Sequence, residues 1–135
     1  MSRPDPSPPE GAPDGALFAV LGFAGLAGAA GVALSAVAAH KIDSPALMTA
    51  AMMLTLHAAA AVGLLSLAAR RQNGRRWVAT AGLMLFAASL FSGAVTFHTL
   101  TGNHIFSPAA PIGGSTLIAS WLVVAVLAAL EARAR

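Results

Sequence analysis

Four histidines, His40, His57, His98 and His104, are the residues of this chain best suited to chemistry. An imidazole can carry a proton, ligate a metal or hold two helices together through a hydrogen bond. The partners that usually make such groups catalytic are scarce. There is no cysteine, which excludes disulfides, thiolate metal sites and cysteine nucleophiles. Asp43 is the only acidic residue between positions 15 and 130, so no carboxylate pair is available for acid–base work. The chain has no Walker sequence, no His-Glu-x-x-His and no Gly-x-Ser-x-Gly. No enzyme class is indicated, and neither a cofactor nor a metal is expected.

The elements that position these histidines are set by the stretch Arg70-Arg71-Gln72-Asn73-Gly74-Arg75-Arg76. It holds four of the eight Lys and Arg residues, between long apolar segments. An arginine at mid-bilayer costs roughly 2.5–3.5 kcal/mol on insertion scales. Arg70, Arg71, Arg75 and Arg76 must therefore stay at a membrane surface while the flanking segments run into hydrocarbon. Charged residues make up only 10% of the chain and hydrophobic ones 57%. Typical soluble domains carry about 25% charge. A net charge of +3 concentrated in one turn sets topology rather than a surface for nucleic acid.

The expected fold is all-α: an antiparallel bundle of four transmembrane helices behind a disordered, proline-rich tail at 1–15. The transmembrane domain covers 16–135, with helices at about 17–39, 46–69, 77–100 and 115–133. At 1.5 Å per residue, the first reaches about 34 Å, enough to cross roughly 30 Å of hydrocarbon. A signal peptide is the competing reading of that segment, but its positively charged start is missing. Ser44 suits the N-cap of the second helix, Pro45 its first turn, and Gly102 the end of the third. Trp77 suits an interfacial anchor. Pro108, Pro111 and Gly113-Gly114 mark a loop before the fourth helix.

Small residues predict how the helices meet. Gly22, Gly25, Ala29, Ala33, Ala36 and His40 share one face of the first helix. Such a face lets backbones approach closely where lipid supplies no hydrophobic drive. Ser89, Ser92, Gly93 and Thr96 form a second seam on the third helix.

Seven of the eight basic residues fall on one side: Arg3, the four turn arginines, Arg133 and Arg135. The positive-inside rule puts that side, with both termini, in the cytoplasm. His40, His98 and His104 then lie at the outer surface. They could hold copper or zinc only by converging, and their spacing matches no metal motif. His57 lies about 16 Å below Ala46 by helix rise, near mid-membrane. An ionisable residue at that depth is a functional candidate. The simpler reading is a neutral imidazole hydrogen-bonded to Ser89 or Ser92 of the third helix. Met48, Met52 and Met53 read as core fillers.

Taken together, the motifs resemble the YgdD-like group of small four-helix membrane proteins, which has eukaryotic relatives. The resemblance covers about residues 18–130. It rests on the glycine-rich first helix ending in Ala39-His40, on Leu56-His57-Ala58, Phe91-Ser92-Gly93 and Leu100-Thr101-Gly102, and on Pro111-Ile112-Gly113-Gly114 and Trp121. The span between His40 and His57 is shorter than the family's, and Leu56 stands where an aromatic is expected. The resemblance implies an inner-membrane protein without an established activity. The expected partners are the lipid bilayer and a membrane protein or second copy. The expected role is a non-enzymatic subunit or scaffold; the alternative is a small transporter or proton conductor using His57.

Overall fold

The computed structural model describes residues 15–71, 73–106 and 108–133. They form four helices: α1 (Gly15–His40), α2 (Pro45–Ala68), α3 (Gly74–Thr101) and α4 (Ala109–Arg133). All four are long and apolar enough to cross a membrane. The proline-rich stretch expected to be a tail lies, but for Gly15, outside the described residues.

The helix ends follow local chemistry. Ser44 caps α2, its hydroxyl accepting from the Leu47 amide at 3.4 Å, with Pro45 as the first helical residue. A proline there sacrifices only an amide that has no partner inside the helix. Gly102 closes α3 in the left-handed conformation, φ 71°, and its amide donates to the His98 carbonyl at 2.8 Å. That conformation favours glycine because it lacks a Cβ.

Two starts differ from expectation. α3 begins at Gly74 rather than near Trp77, so Arg75 and Arg76 occupy its first turn. Gly74 lies against the Ala68 carbonyl, where a side chain would collide, so the α2–α3 connection closes tightly. α4 begins at Ala109, six residues or so before the expected start near Ser115. Pro111 falls in its first turn, where a missing amide costs nothing. Gly113 and Gly114 are helical as well, because Gly113 serves packing rather than bending. A Cβ on Gly113 would meet the Phe91 backbone nitrogen at 2.6 Å and its Cα at 2.9 Å.

α2 and α3 are the central pair. α1 packs chiefly on α2 and more sparsely on α3, while α4 packs along α3. Among the described residues the backbones of α1 and α4 do not meet, nor do those of α2 and α4. The core is built largely of alanine, with Ala50, Ala61, Ala81, Ala87 and Ala88 fully buried beside Leu47, Met84 and Leu85. Small side chains bring helix backbones together, which is how van der Waals packing accumulates in lipid.

The expected α1 seam is on the wrong side of the helix. Gly22, Gly25, Ala29, Ala33, Ala36 and His40 are all exposed, and nothing lies within 4 Å of a Cβ built on Gly22 or Gly25. The face that packs carries Ala24, Ala27, Gly31 and Ala38, roughly half a turn away. Gly31 is its closest point: a Cβ there would strike the Thr55 hydroxyl and come within 3.0 Å of the Thr55 nitrogen. Both faces of α1 are made of small residues, so residue size alone did not distinguish them. Gly93 of α3 is also exposed, with nothing within 4 Å of an added Cβ.

Candidate functional site

His57 is carried inward by α2 on the face that also buries Leu54, Ala58 and Ala61. The residue is 4% exposed. Pro45 and Ala109 start α2 and α4 at the same end of the bundle. His57 and Trp121 both lie about 18 Å below those starts by helix rise, so the two meet at one depth. The Trp121 indole N–H donates to His57 Nε2 at 3.3 Å. The rings approach edge to face, with centroids 6.2 Å apart and planes at 61°.

This contact fixes the tautomer. An indole can only donate, so Nε2 supplies a lone pair and the proton sits on Nδ1. Nδ1 then donates to the Met53 carbonyl, one turn earlier on α2, at 2.6 Å. Both ring nitrogens are thereby engaged by the protein. The expected partner from α3 is not used. Ser92 donates instead to the Ala50 carbonyl at 2.8 Å, tying α3 to α2. Ser89 is half-buried and lines a groove of about 670 Å³ between α1 and α3, together with Phe23, Ala30, Gly93 and Thr96. A separate hollow of about 430 Å³ lies beside His57, walled by Met53, Leu56, Phe91, Leu117, Ile118 and Trp121. Apart from the imidazole and the indole, those walls are hydrocarbon or thioether.

The remaining histidines do not form one centre. His98 and His104 stack face to face, with centroids 4.2 Å apart and planes within 9°. His40 ends α1 beside a different hollow, lined by Ser35, Ala39 and Thr55. Among the described residues, no group of three or more His, Cys, Asp or Glu could hold a metal.

A second polar contact joins the helices at the arginine end. Trp77 is 2% exposed and donates to Glu131 Oε1 at 2.6 Å. Arg71 pairs with Glu131 Oε2 at 3.0 Å. Trp77 is thus an inward tie between α3 and α4, not a surface anchor. Arg70, Arg75 and Arg76 remain exposed. Sequence reasoning missed both tryptophan contacts. The available signals were the matching depths of His57 and Trp121, and the lone carboxylate of Glu131 near the end of α4.

Residues 23–114 match the model of a family described as protein of unknown function (DUF423). The chain belongs to the DUF423 family. That agrees with the YgdD-like resemblance. The DUF423 match takes in His40, His57, Ser92 and Gly113, and stops before Trp121 and Glu131. No curated protein and no solved structure matches the chain.

Proposed function

We propose that this multi-pass membrane protein is a non-enzymatic subunit or scaffold that packs side by side with another membrane helix, from a second copy or a different protein. The observation that carries the reading is the outward face of α1, where Gly22, Gly25, Ala29, Ala33 and Ala36 are all exposed. A helix facing only lipid has no need of such a row. Small residues along one face allow a partner helix to approach closely. His57 supports the same reading, because both its nitrogens serve contacts within the chain. The reading of His57 as a proton carrier draws less support from the apolar hollow beside it.

We also propose a bacterial inner-membrane location, following the family resemblance, and an orientation with the arginine end and both termini in the cytoplasm, from the asymmetry of Lys and Arg. The experiment for the role is native pull-down in mild detergent at physiological expression, followed by the same measurement on Gly22→Leu/Gly25→Leu/Ala29→Leu. Recovery of a complex from the original chain and of monomer from the variant is expected. Monomer alone from the original chain would overturn the proposal.

A further inference from the structure

At the arginine end the charges are unevenly spent. The acidic residues of the whole chain are Asp5, Glu10, Asp14, Asp43 and Glu131. Asp43 lies at the opposite end, between α1 and α2; Asp5, Glu10 and Asp14 precede α1, which starts at the arginine end, and lie outside the described residues, so Glu131 is the one described carboxylate near the α2–α3 turn. Its two oxygens are taken by Arg71 and Trp77. Arg70, Arg75 and Arg76 are exposed, with no ion pair among the described residues. Three exposed arginines within one seven-residue stretch therefore sit where two spanning helices leave the hydrocarbon. That is the level of lipid headgroups.

We infer that Arg70, Arg75 and Arg76 form a binding surface for the phosphates of anionic phospholipids. The chemistry is direct. A guanidinium presents paired N–H donors that match the oxygens of a phosphate diester. Each cation held near an anionic bilayer surface strengthens association about fivefold. Arg71 is excluded from the surface because Glu131 already neutralises it. Arg75 and Arg76 also sit at the positive end of the α3 dipole, so the field of the helix adds to theirs rather than opposing it. The inference does not depend on which leaflet the arginine end faces, nor on the proposed scaffold role.

The test uses the full chain reconstituted in phosphatidylcholine bilayers. Spin-labelled phosphatidylglycerol or spin-labelled phosphatidylcholine is added as a trace, and the protein-restricted fraction of each is measured by electron paramagnetic resonance. The original chain should restrict the anionic lipid severalfold more. Arg70→Gln/Arg75→Gln/Arg76→Gln should bring the ratio near one. The corresponding triple Lys variant should keep it, and Lys41→Gln, at the other end, should leave it unchanged. Sodium chloride should erode the preference in the original chain, a readout that needs no variant to fold. No preference in the original chain, or one that survives the triple Gln change or high salt, would overturn the inference. So would its loss to inorganic phosphate at matched ionic strength, which would mark a site for soluble anions.

Discussion

Trp121 and His57 are joined through their ring nitrogens at 3.3 Å, although the helices that carry them have no backbone contact. The bond crosses from α2 to α4 at mid-depth and depends on the imidazole keeping its proton on Nδ1. Interhelical hydrogen bonds inside membranes contribute about 0.6 kcal/mol on average. A double-mutant cycle of His57→Leu and Trp121→Phe, read by unfolding in mixed detergent, should give a coupling of about that size. Additive effects would mean that the contact carries no energy.

Glu131 should show a graded response. Its pair with Arg71 is partly exposed on both sides, at 32% and 28%. Such a pair contributes about 0–1 kcal/mol. The bond from the buried Trp77 indole to a charged oxygen is stronger, about 1.5–3 kcal/mol. Glu131→Gln keeps an acceptor for the indole and loses only the charge. Glu131→Ala loses both. Unfolding should therefore rank the original chain above Glu131→Gln, and that variant well above Glu131→Ala. Equal losses would show that charge, not the indole bond, dominates.

Adjacent glycines should behave differently. Gly113→Ala drives a methyl into the Phe91 backbone, 2.6 Å from its nitrogen. Neither helix can yield without moving its main chain, and overpacking of this kind costs about 1–3 kcal/mol or more. Gly114→Ala meets only the Phe91 ring, at 3.8 Å, and Gly93→Ala meets nothing within 4 Å. Thermal stability in detergent should fall sharply for the first and hold for the other two.

Thr96 offers the opposite sign. Its hydroxyl oxygen is buried without a hydrogen-bond partner, alone in this among the described residues. An unpaired buried polar group costs about 1–3 kcal/mol. Thr96→Val keeps the shape and removes that atom, so the midpoint of unfolding should rise. A fall would mean that the hydroxyl does have a hydrogen-bond partner.

The bundle was legible in the sequence wherever a rule rests on the backbone or on charge. Four spans, the Ser44–Pro45 start and the Gly102 end all follow from such rules. The sidedness of α1 was not legible. In water an apolar stripe marks the buried face, but in lipid the outward face is apolar too. Ala24 and Ala29 look alike in composition, and only the second is exposed. The start of α4 was hidden because Pro111 and Gly113-Gly114 resemble a loop, while each is compatible with the first turns of a helix. His57 was legible as a buried polar group. Its partner was not, because Trp121 lies on a helix whose backbone never reaches α2.

The alanine lining of the α2–α3 pair inverts the usual mutational profile of a protein interior. In a core of leucine and phenylalanine, truncation does the damage. Here Ala50, Ala61, Ala81, Ala87 and Ala88 are 0% exposed and leave almost nothing to trim. Growth is what such a seam cannot absorb. A saturation scan of these positions should find glycine and serine forgiven and valine or leucine rejected, an upper limit on bulk rather than a lower one.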